Sequence, residues 1–169
     1  TDVSLMTVGG SAAITRLGEQ SAVTATIDYT NLAPYSEVIS QNVDWVKPPE
    51  SVGGELSFRQ KTDGSGMLKL YGKFGRNNLK LNREDLDNEG ATSPFELQND
   101  NLYFNTNWRR NLGEKWSIKT GASFTKNVDD IILSDVDVNQ ELEAGFFKLV
   151  MKNYTTDRVN IKFGGEALI

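Results

Sequence analysis

One motif in this sequence has the spacing to hold a divalent cation. Asp85-Leu86-Asp87-Asn88-Glu89-Gly90 is followed by Glu96, six residues beyond the glycine. With Asp85 as position 1, carboxylates fall at 1, 3, 5 and 12 and glycine at 6, the spacing of an EF-hand calcium loop. Calcium takes about six to eight oxygen ligands, and the glycine permits the sharp turn between them. Asp85, Asp87, Glu89 and Glu96 are therefore the candidate metal ligands, with calcium as the candidate ion. The competing reading is a solvated acidic loop between two strands. No helical pattern flanks the motif, and Pro94 sits inside the ligand span.

Three other groups carry chemical potential. Asp129, Asp130, Asp135 and Asp137 surround the apolar Ile131, Ile132 and Leu133, as a cation site or as an exposed loop tip. The stretch from Ala33-Pro34-Tyr35 through Trp45 to Pro48-Pro49 is rich in aromatics and proline. Tyr35 and Trp45 are the candidates to stack on a ligand, against a reading in which they pack locally. Lys69, Lys73, Arg109 and Lys119 are placed to steer anions, or simply to keep a polar face wet.

Catalytic chemistry has little to work with. Histidine and cysteine are both absent, which removes His-based triads and bases, thiolate metal sites and disulfides. The glycines at Val8-Gly9-Gly10-Ser11 and Val52-Gly53-Gly54 lie in strand patterns and form no phosphate loop. No residue constellation supports an enzyme. Against 18 Lys and Arg stand 23 Asp and Glu, a formal charge of −5, which argues against nucleic acid as a partner.

The elements that must position these residues are strands. Leu68, Leu70, Gly72 and Phe74 alternate with Met67, Lys69, Tyr71 and Lys73. Leu102, Phe104, Thr106 and Trp108 alternate with Tyr103, Asn105, Asn107 and Arg109. The same period recurs around Ala25, Trp116 and Val159, and helix-period segments are scarce. The expectation is an all-β antiparallel up-and-down meander of about eight strands. They fall near 3–16, 21–31, 51–62, 66–77, 101–111, 115–127, 141–154 and 158–168.

Short turns are expected at 17–20, 63–65, 112–114 and 155–157, and long polar connections at 32–50, 78–100 and 128–140. Short and long alternate, which places every short turn at one rim and every long loop at the other. That asymmetry, with strands long enough for the roughly 9–11 residues of a tilted crossing, is a property of outer-membrane barrels. Trp108, Trp116 and Tyr154 fall by the short turns, and Tyr29, Phe74 and Phe124 towards the long loops, as interfacial girdles do. A hydrophobic fraction of 38% and a mean hydropathy of −0.44 are compatible with a barrel, whose strands need only one apolar face. No run approaches the roughly 18 apolar residues of a membrane helix.

Several segments resemble the barrel of a TonB-dependent outer-membrane receptor. They are Asn42-Val43-Asp44-Trp45 with Lys47-Pro48-Pro49-Glu50, Gly53-Gly54-Glu55-Leu56-Ser57-Phe58-Arg59-Gln60-Lys61-Thr62 and Asp85-Leu86-Asp87-Asn88. Asn99-Asp100-Asn101-Leu102-Tyr103-Phe104-Asn105 and Lys126-Asn127-Val128-Asp129-Asp130-Ile131 belong with them. The resemblance implies a barrel of about twenty-two strands around a plug domain. It implies active import of a siderophore, cobalamin, glycan or similar nutrient, driven through the TonB complex. The implied partners are outer-membrane lipid, the plug and remaining strands, TonB and the imported molecule.

This chain carries no plug and no TonB box, so the expectation for 1–169 is a single barrel segment, about a third of a wall. Two alternatives stand beside it. One is a soluble eight-stranded ligand-binding barrel, a lipocalin-like carrier, apolar within and polar without. The other is an eight-stranded structural or adhesive outer-membrane barrel closed on itself.

Overall fold

The computed structural model describes residues 2–3, 7–38, 43–63, 65–84, 90–156 and 159–169. The chain is all-β, one antiparallel meander in which strands pair with their neighbours in sequence. The strands are β1 (Asp2–Val3), β2 (Val8–Leu17), β3 (Ser21–Asn31), β4 (Asp44–Thr62) and β5 (Gly66–Glu84), followed by β6 (Thr92–Leu112), β7 (Trp116–Leu133), β8 (Val136–Tyr154) and β9 (Asn160–Leu168). A short helix, α1 (Ala33–Val38), lies between β3 and β4. The sheet is open, with β1 and β9 at its edges.

Eight of these strands are the expected meander, and β1 is a stub. The strand expected over 3–16 does not run unbroken: Asp2 pairs with Gly9 and Val3 with Val8 in antiparallel register, so the long strand starts at Val8. The larger correction concerns the connections expected over 32–50, 78–100 and 128–140. β4 already starts at Asp44, β5 runs on to Glu84 and β6 begins at Thr92. The third connection shrinks to Ser134-Asp135, with Leu133 paired to Val136. Strands of 18 to 21 residues thus replace the expected shorter runs in β4 to β8.

Cross-strand polar pairing holds these extensions in the sheet. Lys80 faces Glu96 at 3.0 Å, Asn82 donates to Asp44 at 2.7 Å, and Asn99 donates to Asp129 at 2.6 Å. Pro48 and Pro49 fit because the β4–β5 register slips between Trp45 and Lys47 and again between Lys47 and Glu50.

Directly opposite residues share a face, so the registers sort the side chains into two sets. One set carries Phe58, Phe74, Phe104, Phe124 and Phe147 and is called the Phe face. The other carries Asn99, Asn101, Asn105, Asn107 and Asn127 and is called the Asn face. The end bearing the β2–β3, β4–β5 and β6–β7 connections is taken as the lower end.

The Phe face carries a continuous apolar band. It runs from Val23 to Tyr29 on β3, Val52 to Phe58 on β4, Leu68 to Phe74 on β5 and Leu102 to Trp108 on β6. On β7 it runs from Trp116 to Phe124, and on β8 from Gly145 to Met151. On every strand but β7, where it spans nine, the band spans seven residues, which cover about 23 Å of strand.

The band does not follow the hydrogen-bonded rows. Its upper edge is Asn31 on β3 and Glu143 on β8, whereas the β8 residue level with Asn31 is Asn139. That is a drift of four residues in five strand-to-strand steps, about 13 Å along the strands against about 24 Å across. The lower edge drifts from Ile14 on β2, level with Gly145, to Met151 on β8. Six residues in six steps is about 20 Å against about 29 Å. Both edges therefore slant the same way, at about 30–35° to the rows.

There is no core between layers. Among the described residues no hydrophobic side chain is fully buried, and Ile14 and Phe104 remain 70% and 44% exposed. The buried positions are glycines, Gly53, Gly54 and Gly66.

Candidate functional site

Above the band both faces change character. On the Phe face the residues become ionic. Tyr29 donates to Glu50 at 2.6 Å, and Lys47 lies 3.3 Å from the same carboxylate. Arg76 grips Asp100 through two hydrogen bonds of 2.5 and 3.0 Å. Lys126 lies between Glu143, at 2.6 Å, and Glu141. These contacts shift the groups: the guanidinium of Arg76 holds the Asp100 carboxyl below its usual range. The Tyr29 hydroxyl, then Lys47, does the same for Glu50, and Lys126 does it for Glu143. Glu141, then Glu143, raises the Lys126 ammonium.

On the Asn face the same level turns apolar. Leu79, Leu97, Ile131 and Val138 occupy one row, and Trp45, Leu81, Phe95, Leu133 and Val136 the row above. Arg83 lies 5.6 Å over the Phe95 ring. The polarity of the two faces has exchanged without a slip in the β5–β6 register. Sequence reasoning missed this patch. Its signal is a change of parity: the apolar positions are even up to Phe74 and odd from Leu79.

Below that patch, from just above the upper edge of the band downwards, the Asn face is a hydrogen-bonded polar surface. Asn77 donates to Asn99, Asn99 to Asn127, and Asn127 to Asp129, at 3.2, 2.9 and 2.9 Å. Asn107 donates to Asn105, which donates to the Tyr103 hydroxyl at 3.2 Å. The rings of Tyr71 and Tyr103 stand 6.0 Å apart. Lys73 is neutralised by Glu55 at 3.2 Å. A cavity of about 360 Å³ opens lower down, among Asn105, Asn107, Lys119, Lys148 and Lys162.

No protein-family model, curated protein or solved structure matches this chain. Function must therefore be argued from the sheet itself.

The residues singled out in the sequence are distributed as follows. Trp45 stands on β4 in the upper apolar row, paired with Leu81. Tyr35 is on α1, its backbone amide bonded to the Leu32 carbonyl at 3.0 Å. Asp85, Asp87 and Glu89 lie outside the described residues. Glu96 is not in a loop: it sits in β6 on the Phe face, already paired with Lys80. Among the described residues no three carboxylates are grouped to hold a metal ion.

Asp129, Asp130, Asp135 and Asp137 do not form one cluster. Asp129 is on the Asn face, Asp130 and Asp137 are on the Phe face, and Asp135 is in the turn. Lys69, Lys73, Arg109 and Lys119 do share the Asn face, as expected. Of the aromatics expected at strand ends, Phe74 and Phe124 lie mid-strand, where the Phe face changes character, and Tyr154 falls on the Asn face.

Proposed function

We propose that this chain is a segment of the wall of a transmembrane β-barrel in the bacterial outer membrane, of the TonB-dependent receptor class that imports nutrients. The observation that carries this reading is the apolar band whose two edges slant in parallel across the strand register. In a membrane barrel the strands tilt by about 35–45°, so a flat slab of hydrocarbon must cut the hydrogen-bonded rows obliquely and to constant depth. A slant of about 30–35° fits that requirement. With the tilt, the band is about 20 Å high, a match for a thin outer membrane.

The exchange of polarity above the band has the same cause. Once the strands leave lipid, the outer surface meets water and carries ions, while the inner surface packs or binds. About nine residues of β5, Arg76 to Glu84, extend above the band, close to 30 Å of strand. Trp45, Leu81 and Phe95 then line the inside of an external vestibule, with Tyr35 on the loop beside it. An apolar or aromatic portion of the imported molecule is the chemistry that such a surface suits.

The three tryptophans provide the test. Trp108 and Trp116 stand on the Phe face at the lower edge of the band, and Trp45 on the other face well above it. Each is kept as the single tryptophan in turn, and the chain is folded into vesicles of lipids brominated near the headgroup end of their acyl chains. Strong quenching of Trp108 and Trp116, with Trp45 unquenched, is the expected result. A lipocalin-like carrier gives the opposite result: a monomer soluble without detergent, with none of the three quenched.

A further inference from the structure

The lower part of the Asn face carries an arrangement that the isolated sheet does not satisfy. Arg59 stands directly opposite Lys69, Arg109 opposite Lys119, and Lys152 opposite Lys162. Like charges directly opposed on neighbouring strands repel, with Cβ atoms only about 4.5–5.5 Å apart. Elsewhere the chain resolves such a conflict. Lys47 and Lys80 are opposed on the Phe face, and each holds a carboxylate, Glu50 at 3.3 Å and Glu96 at 3.0 Å. The three lower pairs hold no carboxylate among the described residues; Lys152 lies 4.3 Å over the Tyr154 ring, which leaves its charge in place. The chain has a net charge of −5, so this concentration of cations is not an effect of composition.

The three pairs are also aligned. From Arg59/Lys69 to Arg109/Lys119 the position drops two residues in two strand steps, and it drops two more in the two steps to Lys152/Lys162. This is the slant of the apolar band, so the pairs lie at one height along the wall. Successive pairs are about 12 Å apart, too far for one small anion to bridge. Each pair is a clamp for one carboxylate. Between the clamps stand Asn107 and Ser117, whose side chains both donate and accept hydrogen bonds and so complement a peptide backbone.

We infer that this row of three paired cations is the docking site of an acidic polypeptide segment, running in extended form along the Asn face with a carboxylate every three to four residues. An extended chain covers about 12 Å in that many residues. Its charge is complementary to a row that otherwise repels itself. The inference does not rest on the membrane reading, since the opposed cations share one face whichever face meets lipid.

The test uses the full chain in detergent micelles and a fluorescent peptide of about eight residues, with glutamates at a spacing of three to four and serine between them. Binding is read by anisotropy. The variant K69E/K119E/K162E turns each opposed pair into an ion pair and so keeps the sheet intact. It is expected to weaken binding by at least about tenfold, while Lys47→Gln leaves it unchanged. The inference is overturned if the triple reversal binds as the parent does, or if no peptide binds. It is overturned as well if a peptide with its glutamates adjacent binds equally, or if tripolyphosphate displaces the peptide at the same or a lower concentration. The last two results would assign the row to a small anion. Lipid quenching of Trp108 and Trp116 can succeed or fail independently of each of these outcomes.

Discussion

Arg76 and Asp100 stand directly opposite each other on β5 and β6 and are joined by two parallel hydrogen bonds. On the same face, the next pair below them is Phe74 with Leu102, and the next above is Asn78 with Gln98. The pair therefore marks the height at which the Phe face stops being apolar. Tyr29 with Glu50, and Lys126 with Glu143, mark the same boundary on their own strands. In the proposed barrel this is the level where wall leaves lipid. Charges placed there anchor the strand against sliding, because shifting it by one pair would draw an ion into hydrocarbon.

Acid should loosen this boundary. The carboxyls of Asp100, Glu143 and Glu50 lie below their ordinary values in the folded chain, so folding is favoured by their ionised forms. Such a contribution is complete above the unfolded carboxylate range and is lost as pH falls through the lowered folded values. The urea midpoint is expected to hold steady from about pH 8 to 5 and to fall below about pH 4. Asp100→Asn should lower the neutral plateau and flatten the acid limb. An unchanged acid limb in that variant would remove Asp100 from the account.

Lysine substitutions should separate the two faces by energy. Phe104 lies near the middle of the band, and Ser123 is on the Asn face at a neighbouring height. In a bilayer, Phe104→Lys is expected to cost about 2–4 kcal/mol, the range for a lysine on the lipid side near the midplane. Ser123→Lys should stay within about 0.5 kcal/mol. Chemical unfolding from vesicles measures both. Equal costs would mean that the Phe face is not in contact with hydrocarbon.

The lower halves of the strands were legible because one face meets apolar surroundings and the other polar ones along a full run. Leu68 to Phe74 against Met67 to Lys73 is such a run, and β5 begins where the alternation places it, at Gly66. The upper halves were not legible, since the environment on each side exchanges at Arg76 and Asp100 while the strand continues. To a period-two reading, the step from Phe74 to Leu79 is a break. The polarity of the run Asp129 to Asp137 likewise suggests a loop, yet its charges face opposite sides and bond across strands, Asp129 to Asn99 and Asp130 to Asn139. The paired cations were visible only in part. Lys69, Arg109 and Lys119 could be placed on one face, but which residue opposes which depends on register, and sequence alone does not fix register.

Gly54 and Phe74 form a second relationship open to test. They are directly opposite, and a Cβ on Gly54 would fall 2.5 Å from the Phe74 ring and 3.2 Å from the Thr26 carbonyl oxygen. The ring thus covers the glycine and supplies the cross-strand contact that it lacks. Gly54→Ala should push the ring away and cost about 1–3 kcal/mol. Phe74→Ala removes the obstacle, so the double variant should cost less than the sum of the two by about 0.5 kcal/mol or more. Strict additivity would show that ring and glycine are energetically independent.

The turn Ser134-Asp135 joins β7 to β8 in place of the expected loop over 128–140, and its backbone is specific. Ser134 has φ of 57°, in the left-handed region, between Leu133 and Val136, which pair. Holding an L-residue there costs about 1–2 kcal/mol, and glycine removes that strain. Glycine also has more freedom to lose on folding, about 0.5–1 kcal/mol. The balance predicts that Ser134→Gly stabilises the β7–β8 hairpin by about 0.5 kcal/mol. Ser134→Pro should do the reverse and more strongly. Proline cannot adopt a positive φ, and it deletes the amide that donates to the Pro94 carbonyl at 2.9 Å. Amide exchange at Ile131 and Val138 reads the hairpin directly: protection should rise in the glycine variant and collapse in the proline variant. If both variants exchange like the parent, the hairpin does not form, and residues 128–140 are the loop that their polarity suggests.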